Sequence, residues 1–325
     1  MRFAAALSLT LSLLASAAAA GQTVTRVETI HGVSEIDTAT QTTDTRIGRD
    51  AGDRMTVAVR VSGAGPYRFV VDTGADRTVV ARELAEHLRL PHGPGATLHS
   101  ISGMNSIRTA QVNSIEYTAK RVDDINAAVL EGVNIGADGI LGTDSLRAQR
   151  VQFDFRKNTL SISSSRQSVR DDPGTIVVQA RRKSGRLILT DALADGRTVA
   201  VVVDTGSDVS IGNMAMEAML RRKGLMKNSG SIELMSVTGH KITGTYAVLR
   251  RLELGGITLH NVAIVFAEAH TFGQLKLADK PAMLMGMNAI RAFEKVSIDF
   301  ASRKLRILLP EGSELLARAQ QLASR

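Results

Sequence analysis

The sequence predicts a mainly β protein made of two homologous lobes with a central cleft between them, a short helix in each lobe and a helix at the C-terminus. Three observations carry this expectation. Valine-rich runs end in an Asp-Thr-Gly triplet twice, in "VVDTGADRTVV" at 70–80 and "VVVDTGSDVS" at 201–210, which places Asp72 and Asp204 132 residues apart. A second segment is also duplicated, "ILGTDSLRAQRVQFDFRKNTLSI" at 140–162 returning as "LMGMNAIRAFEKVSIDFASRKLRI" at 284–307. In that second pair Arg147 matches Arg291, Val151 matches Val296, Asp154-Phe155 matches Asp299-Phe300 and Leu160 matches Leu305, a shift of 144 or 145 residues. Finally, alternating and valine-isoleucine-rich stretches such as "RMTVAVRVSG", "VQFDFRKNTLSI" and "GRLILTDAL" carry the period of half-buried strands.

Taken in order, residues 1–20 read as a removable secretory signal: Met1-Arg2, an apolar run and small residues that allow cleavage after Ala20. Serines, a threonine and many alanines dilute that run below what a membrane anchor needs. Residues 21–51 are polar and show no periodic face, which suits a tether, a propeptide or an edge strand. The first lobe is expected over 52–163, with a helical turn or two in "RELAEHLRL" at 82–90 and a glycine-turned hairpin in "TLHSISGMNSIRTAQV" at 97–112. A polar linker follows at 164–175, punctuated by Pro173-Gly174. The second lobe, 176–309, repeats the order with a helix in "MAMEAMLRRKGL" at 214–225 and a hairpin in "IELMSVTGHKITGTYAVL" at 232–249. Residues 310–325 open on a capping pattern at Ser313 and predict a surface helix.

Composition excludes several chemistries. The chain has no cysteine, so thiolate ligands, thiol nucleophiles and disulfides are out, and export without disulfides suggests a bacterial periplasm, with secretion as the alternative. Its net charge of +8 is dispersed along the chain, and 3% aromatics leave little to stack on bases or sugars, which disfavours nucleic acid as partner and glycosidase chemistry. Seven histidines form no HExxH or close carboxylate cluster, and no phosphate loop or nucleophile elbow is present, so no metal or cofactor is expected. His240 falls at a hairpin tip where it could tune a pH response or simply be solvated. The methionines, including Met214, Met216, Met219, Met283, Met285 and Met287, suit core filling, with Met287 placed to line a pocket.

The triplets offer a chemistry of their own. A buried strand delivers Asp72 to the end of a rigid element, Gly74 allows close backbone approach, and the Thr73 hydroxyl can bond locally or across to the partner loop. If the lobes face one another, Asp72 and Asp204 meet, and two carboxylates at close range share a proton. One can then act as base on water while the other donates to a carbonyl oxygen.

At these motifs the sequence resembles an aspartic protease of the retropepsin-pepsin type fused head to tail into one chain. The resemblance spans roughly 52–308 and rests on Asp72-Thr73-Gly74-Ala75-Asp76, Asp204-Thr205-Gly206-Ser207-Asp208 and the hydrophobic-hydrophobic-Gly segments ending at Gly142 and Gly286. It implies retropepsin-like β-barrel lobes and catalysis by Asp72 and Asp204. It further implies loop support from Thr73, Gly74, Ala75, Thr205, Gly206 and Ser207. Substrate gripping falls to Asp76 and Asp208, with flaps at Ser102, Gly103, Met104 and Thr238, Gly239, His240. It also implies a polypeptide substrate, periplasmic or a periplasmic segment of a membrane protein, cut by a monomer. A silent peptide-binding module of the same fold, and an enzyme latent until 21–50 is removed, are the competing expectations.

Three departures from the family stand out. Thr143 and Met287 occupy positions where relatives often place an arginine paired with the aspartate after the triplet, and no flap tyrosine is evident. Ala75 cannot donate to its carboxylate whereas Ser207 can, so the pair is expected to be inequivalent, with an optimum between weakly acid and neutral pH.

Overall fold

The computed structural model describes residues 54–310 other than 169, 184, 227 and 228, together with the backbone strands Asp44–Arg46 and Gly48–Arg49. The signal expected at 1–20 and the C-terminal helix expected at 310–325, apart from Pro310, lie outside the described residues.

Each lobe is a ring of six strands. In the first, Met55–Val61, Ala64–Val71, Gly139–Leu141, Val79–Ala81, Lys120–Leu130 and Thr109–Tyr117 follow one another round the ring, and the last pairs back onto the first. In the second, Arg186–Ala194, Arg197–Val203, Ala282–Met285, Ser210–Gly212, Ile257–Phe266 and Lys241–Leu254 do the same. Closure removes the exposed edges that a sheet of this size would otherwise present. The valine runs that lead into the triplets are central strands with no solvent face. Phe69, Val70 and Val71, like Val201, Val202 and Val203, are all buried, which is why they read as continuous apolar stretches.

A third sheet joins the lobes, in the order Asp44–Arg46, Thr159–Ser164, Gln149–Asp154, Lys295–Asp299, Lys304–Leu308 and Ile176–Gln179. Its midline is the antiparallel pairing of the two copies of the duplicated second segment, with Arg150 opposite Asp299 and Asp154 opposite Lys295. Arg150 Nε lies 3.3 Å from Asp299 and Lys295 Nζ 3.6 Å from Asp154. Beneath them Val151, Phe153, Leu160, Ile162, Val296, Ile298, Leu305 and Ile307 are buried. At about 1.5–3 kcal/mol for each side chain buried, this apolar layer outweighs the ion pairs in holding the lobes together, and the pairs fix the register.

The polar segment at 21–51 contributes an edge strand, Asp44–Arg46, on Thr159–Ser164, and a second short strand, Gly48–Arg49, on Met55–Val61. The strand Ile176–Gln179 occupies the equivalent edge beside Lys304–Leu308. Two- and three-residue edge strands carry no period that a sequence could display.

The expected helices are Arg82–His87 and Met214–Arg222, the latter capped by Asn213, whose side-chain oxygen accepts from Met216 N–H at 2.9 Å. Both stop earlier than the sequence pattern suggests, where Arg89 (φ 50°) and Gly224 (φ 63°) turn left-handed. Met216, Met283, Met285 and Met287 are buried, so Met287 packs in the core instead of lining a pocket, and Met214 is exposed.

The two glycine hairpins differ in how they are rooted. The first, Ala96–Ser100 with Gly103–Ile107, is a separate two-stranded sheet, because the chain breaks its pairing at Arg108 before entering the barrel at Thr109. In the second, Gly230–Met235 pairs with Lys241–Leu254, a 14-residue strand that runs unbroken into the barrel.

Candidate active site

The two triplet loops meet where the barrels face each other. Each aspartate is fixed first through its own backbone: Asp72 N–H donates to Leu141 O and Asp204 N–H to Met285 O, both at 3.1 Å. The parallel pairing of Ala64–Val71 with Gly139–Leu141, and of Arg197–Val203 with Ala282–Met285, sets these contacts. The hydrophobic-hydrophobic-Gly segments therefore thread alongside the triplet loops. A Cβ at Gly142 would collide with Arg77 backbone, and one at Gly286 with Val209 backbone.

The residue two beyond each of these glycines braces the loop. Asp144 accepts from Thr78 N–H at 3.0 Å and from its hydroxyl at 2.8 Å; Asn288 accepts from Ser210 N–H and hydroxyl, both at 2.9 Å. The preceding positions, Thr143 and Met287, instead donate backbone N–H to Ala75 O and Ser207 O at 2.8 Å.

Thr73 and Thr205 cross between the lobes. Each hydroxyl accepts from the other residue's N–H and donates to the strand carbonyl of the opposite lobe, Thr73 to Val203 O at 2.9 Å and Thr205 to Val71 O at 2.7 Å. This lock brings the carboxyl groups of Asp72 and Asp204 close enough for the charge of one to raise the proton affinity of the other. It also explains the glycines: a Cβ on Gly74 would overlap the Asp204 carboxylate and one on Gly206 the Asp72 carboxylate.

The two aspartates are inequivalent. Asp72 Oδ1 accepts from Gly74 N–H at 2.7 Å and Ala75 N–H at 3.0 Å, whereas Asp204 Oδ1 accepts from Gly206 N–H at 3.1 Å. Both are partly accessible to water in the cavity above them but sit on its floor with protein around the remaining sides. Burial raises Asp72 above the model-compound 3.8, opposed by the Gly74 donor, the charges of Arg54 and Arg186, and the Ala75 donor. Burial and then the charge of Asp72 push Asp204 up to about 7, opposed by Arg186 and the Gly206 donor. The better-solvated charge is on Asp72, and the shared proton belongs on Asp204. The sequence expected the opposite cause, a Ser207 hydroxyl donated to its carboxylate. That hydroxyl instead donates to Val209 O at 2.8 Å, because the tight turn after Gly206 offers a carbonyl at hydroxyl range.

Arginines do stand beside Asp76 and Asp208, but they come from the opposite lobes. Arg186, at the start of a second-lobe strand, donates to Gly74 O at 2.6 Å and has Nη2 3.5 Å from Asp76. Arg54, at the start of a first-lobe strand, donates to Gly206 O at 3.4 Å and to Ile135 O, with Nε 3.8 Å from Asp208. Both guanidinium groups are nearly buried. Sequence reading missed them, although the signal was there: Arg54 and Arg186 are separated by the same 132 residues as the two triplets.

The hairpins roof a cavity of about 400 Å³ over the aspartates. Their tips meet, with Ser102 Oγ 3.2 Å from Thr238 Oγ1, and Gly239 (φ 79°) lies against Asn134 of the first lobe. His240 Nδ1 is 3.0 Å from Thr238 Oγ1, and Met104 is 64% exposed, its side chain turned to solvent. None of the tip residues Ser102, Gly103, Met104, Thr238, Gly239 and His240 lines the cavity; the hairpins roof it with Thr97, Leu98, His99, Ser100, Ile101, Leu234, Met235, Ser236 and Val237. Among the described residues no cluster of three or more His, Asp and Glu converges as a metal site.

No curated protein matches the chain. A model of the aspartyl protease family, however, matches it twice, over residues 57–145 and 190–289, one match to each barrel and each containing one triplet. With more than half of its length covered by two copies of that family's pattern, the chain belongs to the aspartyl proteases.

Proposed function

We propose that the protein is an exported aspartic endopeptidase in which Asp72 and Asp204 activate one water against a peptide carbonyl. The observation that carries this reading is the inequivalent buried pair: one carboxyl with two backbone donors, one with a single donor and an elevated affinity for the proton. Asp72, ionised, takes a proton from the water as it adds to the scissile carbon. Asp204, protonated, donates to the carbonyl oxygen, which leaves a neutral tetrahedral adduct. On collapse Asp72 returns its proton to the leaving nitrogen and Asp204 takes one from an adduct hydroxyl as the C–N bond breaks, giving acid and amine and restoring the starting arrangement of the shared proton.

An extended polypeptide beneath the hairpins can pair with their strand edges, and the apolar wall of Leu98, Ile101, Leu234 and Val237 favours aliphatic or aromatic side chains near the cut. Residues 1–20 and the lack of cysteine support a periplasmic location, with a periplasmic protein or membrane-protein segment as substrate. The test is cleavage of an internally quenched apolar peptide. Asp72→Asn and Asp204→Asn should each lose it by about 10³-fold or more while keeping the wild-type circular dichroism, by the scale of removing one group of an acid-base pair. Cleavage retained in either variant would overturn the mechanism.

A further inference from the structure

The first hairpin is a two-stranded sheet that pairs with no barrel strand, so what holds its tip down bears on access to the cavity. Ile101 packs against the second lobe's apolar cluster, and three polar ties reach the tip from that lobe: the Ser102–Thr238 hydroxyl contact, the His270 N–H donated to Ile101 O at 3.0 Å, and a side-chain bond between His99 Nδ1 and His270 Nε2 at 2.9 Å. The last is unusual in that both partners are imidazoles.

Its geometry distinguishes a hydrogen bond from the alternatives. The ring centroids are 5.2 Å apart and the rings lie within 7° of parallel. An imidazole nitrogen sits about 1.2 Å from its centroid, given ring bonds near those of the backbone C–N. A 2.9 Å nitrogen-nitrogen contact with rings end to end in a shared plane then spans about 5.2 Å, as found. The rings are therefore not face-stacked, and nitrogens aimed straight at each other at this spacing cannot hold a metal between them, which needs about 2.0 Å on each side.

A linear bond between two imidazoles has a defined proton requirement. With both rings neutral, one donates and the other accepts; with one ring protonated, the cation still donates to its neutral partner. When both are protonated, two N–H groups and two positive charges face each other and the bond is lost. The three packed elements involved, Ala96–Ser100, Gly103–Ile107 and His270–Gln274, contain no other titratable side chain. Gln274 Nε2, 3.3 Å from His270 Nε2, is neutral. Glu268 and Lys276 flank the His270 helix, Arg108 follows the hairpin, and His240 touches the neighbouring tie through Thr238.

We propose that His99 and His270 form a proton-operated latch that holds the first hairpin over the cavity and releases it when both imidazoles are protonated. Combined with the endopeptidase reading, on which this consequence rests, the latch admits polypeptide more readily in mildly acidic surroundings, where the aspartate pair also holds its single proton.

The test reads the hairpin itself, not turnover, so it stands or falls separately from the peptidase assignment. Amide hydrogen exchange of the full chain is followed at pH 5 and pH 8 and expressed as protection relative to the unstructured rate at each pH. Wild-type protection over 96–107 should fall roughly two- to tenfold between pH 8 and pH 5, the range for one net hydrogen bond, with the barrel strands unchanged. His99→Ala should be poorly protected there at both pH values, and His240→Gln should keep the wild-type fall. Equal wild-type protection at the two pH values, or the same fall in His99→Ala, would overturn the latch.

Discussion

Thr73 and Thr205 hold each other across the lobe boundary through matched bonds, the backbone N–H of each donating to the other's hydroxyl oxygen at 3.1 Å. Both residues are at most 1% exposed, so no water replaces a missing partner. Thr73→Val keeps the side-chain shape but strands Thr205 N–H and Val203 O without their partners. At about 1–3 kcal/mol for each orphaned group, a loss of roughly 2–5 kcal/mol in urea unfolding is expected. Thr73→Ser, which keeps the hydroxyl, should cost less than about 1 kcal/mol. Equal losses in the two variants would show that shape, not the hydroxyl, carries the lock.

The aspartate pair itself weakens the fold at neutral pH. Both carboxyls are raised above 3.8, Asp204 to about 7, so their contribution to stability is full below the unfolded value and is lost as pH climbs through the folded one. Asp204→Asn removes the titration while keeping an acceptor for Gly206 N–H. It should therefore unfold at higher urea than wild type at pH 8, by on the order of a few kcal/mol, and show little advantage at pH 4. A stability difference that stayed constant from pH 4 to pH 8 would contradict the assignment of the raised proton affinity to Asp204.

The two buried arginines should act differently on the rate profile. Arg186 lowers the proton affinity of both aspartates, whereas Arg54 acts chiefly on Asp72. Under the proposed mechanism proton loss from Asp204 sets the alkaline limb of kcat/KM, and that limb should move upward by about half a pH unit or more in Arg186→Met, the size of a ~1 kcal/mol charge interaction. In Arg54→Met that limb should stay close to wild type while the acid limb rises. Equal displacement of the alkaline limb in both variants would mean that the arginines act through loop position instead of charge.

Much of this site was legible because the chain states it twice. The triplets, the paired glycines and the valine strands repeat at fixed intervals, and buried parallel-paired strands leave an unmistakable apolar run. What the sequence concealed lies in contacts between the copies. Nothing local to Arg54 or Arg186 announces that each reaches across to the other lobe's loop. The single-turn helix at His270, which supplies the second half of the latch, is too short to show a period. The glycines at 103 and 239 mark the two hairpin turns, but their spacing could not reveal that Ser102 and Thr238 would meet each other and leave Leu98, Ile101, Leu234 and Val237 to face the cavity.

Ser207 provides the sharpest contrast between sequence and structure. Its position against Ala75 invites the view that its hydroxyl makes the two aspartates inequivalent. Yet that hydroxyl donates to Val209 O at 2.8 Å, and the inequivalence comes from elsewhere: the Arg54 charge beside Asp72, and two N–H donors on Asp72 against one on Asp204. Ser207→Ala should therefore leave both limbs of the pH-rate profile in place and lower stability by about 1 kcal/mol, the net worth of one turn hydrogen bond. Were the hydroxyl a donor to Asp204, its removal would strip stabilisation from the ionised carboxylate and carry the alkaline limb upward. A measured rise of that limb in Ser207→Ala would return the asymmetry to the side chain; an unchanged profile leaves it with the Arg54 charge and the Ala75 amide.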